Sequence, residues 1–112
     1  MNKKRICLLT SGHLPFDERI FWKFGITLVE NKFDVMVVSS TEEMRIERKG
    51  IKVNSFDGIN LDKRKKIEVY FNLLQDFNPQ VIICSEPLPV IAAAKYRRKQ
   101  KNHVEVILDV TE

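Results

Sequence analysis

At 112 residues the chain is long enough for one domain with one core and short for an α/β enzyme. Its 44% hydrophobic content is that of a globular protein and excludes disorder as the default state. The formal charge of +4 is small, yet the cations cluster at Lys3, Lys4 and Arg5, at Lys63 to Lys66, and at Lys95, Arg97, Arg98, Lys99 and Lys101, as on a solvated surface or one that meets phosphates or an anionic bilayer.

In chain order, Arg5–Thr10 is predicted to be a first strand. Its apolar run Ile6-Cys7-Leu8-Leu9 is four residues, too short for a signal peptide, which needs about 7–15. No run approaches the roughly 18–20 residues that span a bilayer, so the expected compartment is the cytosol. Arg19–Glu30 has helical spacing, with Ile20, Phe21, Phe24 and Leu28 on the core face. Trp22, Ile26 and Val29 form a second apolar stripe on the opposite side, for a neighbouring element, a lipid or a second domain. Asp34–Ser39 is a short β-branched strand. Thr41–Gly50 is polar and reads as a loop or short irregular helix. Ile51–Phe56 alternates weakly as a third strand.

Asp62 is placed to cap a helix carrying Ile67, Tyr70, Phe71, Leu74 and Phe77, which Asn78-Pro79 ends. Val81–Cys84 is continuously apolar, hence a strand covered on both faces. Pro87 and Pro89 punctuate the next loop, Val90–Lys101 is a third helix, and Glu105–Asp109 a fifth strand. Strands alternating with helices predict an α/β domain with an open parallel sheet and helices on both faces. The pattern halts at Glu112, just after a strand, as if cut from a longer chain. Cys7 and Cys84 fall in strands without metal or redox spacing and read as buried free thiols.

In open α/β sheets ligands bind beyond the carboxyl ends of the strands, and the loop Thr10–Ile20 lies at such an end. Asp17 is suited to cap the first helix. Arg19 opposes the macrodipole there, and Lys23 one turn later adds like charge, so a compensating anion is expected: a carboxylate such as Glu30, or a ligand phosphate. His13 and Gly12 complete the loop, Gly12 as a residue that permits unusual backbone angles or close approach. Glu86 and Asp109 follow later strands and can meet sugar hydroxyls or cap helices. His103 lies at the opposite edge and reads as structural or solvated. No glycine-rich dinucleotide or P-loop sequence is present, and no nucleophile–base pair or metal cluster stands out.

The run His13-x-Pro15-x-Asp17-x-Arg19-Ile20-Phe21 with Lys23 and Leu28, then Asp34-Val35, Asn78-Pro79-Gln80-Val81-Ile82-Ile83 and Val106-Ile107-Leu108-Asp109-Val110-Thr111-Glu112, resembles the N-terminal half of family 4 glycosyltransferases of the GT-B fold. The resemblance implies that residues 1–112 are a truncated, Rossmann-like, acceptor-side domain. It implies an absent C-terminal domain that binds a nucleotide sugar, retaining transfer to a glycan or lipid-linked acceptor, and no metal or cofactor. It also implies a cytoplasmic setting, peripheral to the anionic membrane face. Substrate contacts are then expected from Gly12, His13, Asp17 and Arg19, with Glu86 and Asp109 beside them. Two positions depart from the family: Thr111 where it often has histidine, and Lys32 where a glycine often follows the first helix.

Two other readings compete. One is a stand-alone binding subunit that recruits a separate catalytic chain through the Trp22 stripe. The other is a non-enzymatic, flavodoxin-like regulatory domain, which wants an acidic cluster at the strand ends. Nucleic acid is not an expected partner, because the basic blocks lack interleaved stacking aromatics.

Overall fold

The computed structural model describes residues 3–109. Val110, Thr111 and Glu112, which carry the end of the family resemblance, lie outside the described residues. Six strands form one sheet: β1 (Arg5–Leu9), β2 (Asp34–Ser39), β3 (Met44–Arg48), β4 (Ile51–Ser55), β5 (Val81–Cys84) and β6 (Glu105–Leu108). The spatial order is β3-β4-β2-β1-β5-β6. All pairs are parallel except β3 with β4. The five parallel strands therefore follow the order third, second, first, fourth, fifth, that of a Rossmann-like open sheet, with its switch point between β1 and β5.

Helices cover both faces. The first, α1, has a π-helical part, Glu18–Gly25, that runs into an α-helical turn, Ile26–Glu30. It packs Ile20 and Phe21 against Ile6, Leu8, Val35, Val37, Ile51 and Val53. On the other face α2 (Lys63–Phe77) and α3 (Pro87–Arg98) bring Tyr70, Leu74, Ala92, Ala93 and Tyr96 onto Cys7, Leu9, Met36, Val38, Ile82 and Cys84. Asp62 caps α2 by accepting from the Lys65 amide at 2.9 Å. Asn78 ends α2 in the left-handed conformation that a C-cap requires. No helix among the described residues is long and apolar enough to cross a membrane.

Four expectations need correction. Thr41–Gly50 holds a strand rather than a loop or helix: Met44–Arg48 pairs antiparallel with β4 through a two-residue turn in which Lys49 (φ 56°) and Gly50 (φ 79°) both have positive φ. Such a turn matches the strand twist, and the charges on Arg45, Glu47 and Arg48 suit an exposed edge. The first helix is not regular: over Glu18–Gly25 its turn is wider than 3.6 residues. Gly25 is consequently buried, where a Cβ would come within 2.8 Å of Ile51 Cδ1, and Phe24 and Leu28 are only partly buried. Helix α3 begins at Pro87 rather than Val90, because proline is preorganised for the first helical position, where its missing N–H costs no bond. Finally, three strands end one residue before the expected limit, β1 at Leu9, β4 at Ser55 and β6 at Leu108, and α3 ends at Arg98 rather than Lys101.

The Trp22 stripe has a neighbour in this hairpin. Arg48 places its guanidinium 5.1 Å from the Trp22 ring centroid and 5.0 Å from that of Phe16. Ile26 and Val29 pack against the α1-side core, while Trp22 remains 39% exposed.

Lys32 adopts φ 72°, so it occupies the left-handed position that a glycine fills without strain. A left-handed side chain costs about 1–2 kcal/mol, and glycine's extra backbone entropy returns about 0.5–1 kcal/mol of that. Lys32→Gly is therefore expected to raise stability by up to about 1.5 kcal/mol, read as a higher urea midpoint at an unchanged slope.

The core also fixes an alkaline limit. Cys7 and Cys84 are free and buried. Burial, then the Glu86 charge, pushes Cys84 from 9.0 up to about 12. Burial and Cys84 push Cys7 well above 9.0. Burial foremost moves Tyr70 from 10.0 to about 12. Above pH 9 the unfolded chain releases these protons while the folded chain keeps them, so unfolding becomes easier as pH rises. These three groups leave stability unchanged just below pH 9 and lower it toward pH 12, where the folded groups at last ionise. Urea midpoints that stay flat across this alkaline range would contradict the assignment.

Candidate functional site

The site lies at the carboxyl edge of the sheet, over the switch point. Ser85 N donates to the Leu9 carbonyl at 3.0 Å, and Thr10 N to the Val38 carbonyl at 2.9 Å, so the loop after β1 starts pinned to both neighbouring strands. Glu86, the N-cap residue of α3, makes no cap bond to its own helix. Its side chain instead crosses to the β1 loop. Oε1 accepts from Thr10 Oγ1 at 2.8 Å, Ser11 N at 2.6 Å, Ser11 Oγ at 3.2 Å and Gly12 N at 3.3 Å.

Oε2 of Glu86 lies 3.1 Å from His13 Nε2, and the other ring nitrogen, Nδ1, lies 3.3 Å from Asp17 Oδ2. The imidazole thus stands between two carboxylates. A neutral ring can donate to one of them, an imidazolium to both. The remaining Asp17 oxygen accepts from Arg19 N at 2.9 Å and Ile20 N at 3.1 Å. Asp17 therefore caps α1 and orients His13 at the same time. Arg19 Nη2 reaches Asp109 Oδ2 at 2.6 Å, and its guanidinium lies 5.2 Å from the Phe24 ring centroid.

All six expected residues, Gly12, His13, Asp17, Arg19, Glu86 and Asp109, thus gather at one edge. Some expected roles change. Arg19 is compensated by Asp109 rather than by Glu30, because the wide first turns of α1 and the end of β6 meet there. Gly12 has no positive φ, and a Cβ on it would meet only Glu86 Oε2 at 4.0 Å, so its contribution is its amide and not an unusual backbone. His103 lies at the opposite edge, exposed, as expected.

Hydroxyls that the sequence reading passed over complete the site. Ser39 Oγ donates to the His13 carbonyl at 2.5 Å, Ser40 Oγ to Ser11 O at 3.1 Å, and Tyr70 OH to Thr10 O at 2.8 Å. The available signal was their position, at the last residue of β2 and the one after it, and two turns into α2. An open concavity of about 380 Å³ runs beside Gly12–Asp17, flanked by Leu14, Phe16 and Glu42.

The helix N-termini at this edge are already occupied. Asp17 takes two amides of α1, Asp62 takes one of α2, and Pro87 and Pro89 remove two N–H groups from the first turn of α3. A phosphate would meet the cations of Lys63 to Lys66 but no ready cradle of backbone amides. Among the described residues, no group of three or more His, Cys, Asp and Glu is arranged to hold a metal ion. Asp17 and Glu86 do flank His13, but from opposite ring nitrogens, so their oxygens do not converge. Compared with known proteins, the chain matches no family model and no curated relative.

Glu86 and His13 should separate in a stability measurement. Glu86→Gln removes the charge that holds the loop, and bonds to charged groups contribute about 1.5–3 kcal/mol. His13→Ala removes a partly exposed pair worth under about 1 kcal/mol. Equal losses for the two variants, by urea unfolding, would contradict Glu86 as the anchor.

Proposed function

We propose that this chain is the acceptor-side domain of a GT-B glycosyltransferase related to family 4, and that its carboxyl-edge site binds the hydroxyl-rich acceptor. The whole enzyme would move a hexose from a nucleotide sugar to a glycan or lipid-linked acceptor, with retention and without a metal, at the cytoplasmic membrane face. The observation that carries the reading is chemical. The ligand edge of this sheet offers imidazole, carboxylates and hydroxyls, while its helix N-termini are capped or proline-blocked. Such an edge suits neutral hydroxyls, which both donate and accept, better than a diphosphate. That division fits a domain whose partner holds the nucleotide.

The residues of the family-like motif add support: His13, Asp17 and Arg19 all take part in this one arrangement. In catalysis one of the two carboxylates would hold the His13 ring, while the acceptor hydroxyl would replace the other at the second ring nitrogen, which would take its proton. Arg19, neutralised by Asp109, would fix the entrance rather than hold a phosphate. The regulatory-domain alternative is less well supported, since Glu86 and Asp109 are each engaged by a basic side chain and form no shared acidic pocket.

The test is sugar transfer by the product of the complete reading frame that includes residues 1–112. A panel of nucleotide sugars is offered with membrane and glycan acceptors, and labelled sugar incorporation is measured. Transfer is expected with at least one donor. His13→Ala should lower it about tenfold or more, the effect of losing one strong hydrogen bond to the substrate, while the folded fraction is unchanged. No transfer from any donor, or full activity in His13→Ala, would sink the reading.

A further inference from the structure

The opposite, amino edge of the sheet carries a second concavity, of about 280 Å³. Its walls include Arg5 from β1, Asn78 and Gln80 from the turn between α2 and β5, and Lys99, Lys101 and His103 from the segment between α3 and β6. Among the described residues no Asp or Glu lines it. None of its four basic side chains has a carboxylate partner within ion-pair distance among the described residues. The nearby Asp34 is 3.9 Å from Lys52, and Glu105 is exposed on β6 outside the wall.

The neutral groups of the wall point to the same ligand. Asn78 Oδ1 accepts from the Tyr96 hydroxyl at 2.8 Å, and Gln80 Oε1 accepts from Arg5 N at 2.6 Å. Each amide has used its acceptor within the protein, and its N–H donors have no partner among the described residues. The wall therefore holds four basic side chains, Arg5, Lys99, Lys101 and His103, beside four side-chain amides, those of Asn78, Gln80, Gln100 and Asn102, and Lys99 Nζ also lies 5.6 Å from the Phe71 ring centroid.

Helix ends explain part of this charge. Both α2 and α3 terminate at this edge, and Arg5 Nε donates to the Asn78 carbonyl at 2.7 Å. Two helix C-termini amount to about one negative charge in total. Arg5, Lys99 and Lys101 bring three formal positive charges, so roughly two remain uncompensated. Capping alone does not account for the site.

We propose that this amino-edge pocket binds a phosphate group, remote from and independent of the carboxyl-edge site. The phosphate can belong to a small phosphorylated molecule or to a lipid headgroup, and the recognising chemistry is the same. The test uses the 112-residue chain, followed by heteronuclear NMR. One arm titrates inorganic phosphate against chloride at matched ionic strength. The other measures co-sedimentation with phosphatidylcholine vesicles, with and without phosphatidic acid.

K99Q/K101Q removes two pocket cations from exposed or partly exposed positions. K63Q/K65Q removes the same charge from the far edge and serves as the control. Saturable phosphate binding, with shifts at Gln80 and residues 99–104, weakened about tenfold or more in K99Q/K101Q and kept in K63Q/K65Q, supports the pocket and a free phosphate source. Vesicle binding that needs phosphatidic acid and is lost only in K99Q/K101Q, without phosphate saturation, supports the same pocket with a headgroup source. Equal weakening in both variants shows general charge attraction and overturns the proposal, as does the absence of binding in both arms.

Discussion

The carboxyl edge depends on one carboxylate, that of Glu86. The loop after β1 leaves the sheet at the switch point, where no further strand receives its polar backbone. Buried or half-buried amides there must find partners or cost about 1–3 kcal/mol each. Glu86 Oε1 takes the amides of Ser11 and Gly12 and the hydroxyl of Thr10, and Thr10 Oγ1 in turn accepts from His13 N at 3.2 Å. The carbonyls are met from elsewhere: Thr10 by Tyr70, Ser11 by Ser40, His13 by Ser39. The polar groups from Thr10 to His13 are thus met largely by side chains of the sheet, of α2 and of Glu86 at the start of α3. His13 is positioned by a rigid frame rather than by a flexible connector.

The wide first half of α1 belongs to the same problem. Gly25 must lie against Ile51, and Phe21 must fill the space above β1 and β2, with Phe16 edge-on at 4.8 Å and Trp22 at 4.9 Å. Four large rings, Phe16, Phe21, Trp22 and Phe24, and a glycine in ten residues do not fit the even spacing of a regular helix. Widening the turn lets Ile20, Phe21 and Gly25 all face the core. Arg19 is left at the rim, where Asp109 from the far strand can reach it. The charge pattern that looked unfavourable on a regular helix is resolved by tertiary contact.

Much of this was legible in the residues. Apolar runs and helical spacing marked β1, β2, β5, α2 and the parallel sheet, because burial on both faces leaves a strong hydrophobic signature. Five of the six residues that gather at the carboxyl edge stand out because ionisable groups at strand ends are unusual in mere connectors, and Gly12 lies among them. What was missed had weak or ambiguous signals. Strand β3 is written in charged residues, since its outer edge and most of its surface face water. The start of α3 was hidden by prolines that signal a loop from most positions and a helix from the first. Ser39, Ser40 and Tyr70 looked like ordinary strand and core residues, and only tertiary distance reveals that their hydroxyls hold the loop. The partner of Arg19, 90 positions away, has no local signature at all.

The two faces of the sheet are unequally covered, and this bears on Arg19 and Asp109. On one side α2 and α3 bury Ile82 and Cys84 fully. On the other, α1 alone spans β1, β2 and β4, so Val81 and Ile83 of β5 are only partly buried, and Ile107, paired with Ile83, is 39% exposed. Across that thinly covered quadrant, Arg19–Asp109 is the ion pair that links α1 to the end of β6 among the described residues. An exposed ion pair contributes little to stability, about 0–1 kcal/mol. Its effect is geometric: it ties the start of α1 to an edge strand that this face leaves largely uncovered, so whatever covers β6 also acts on Arg19.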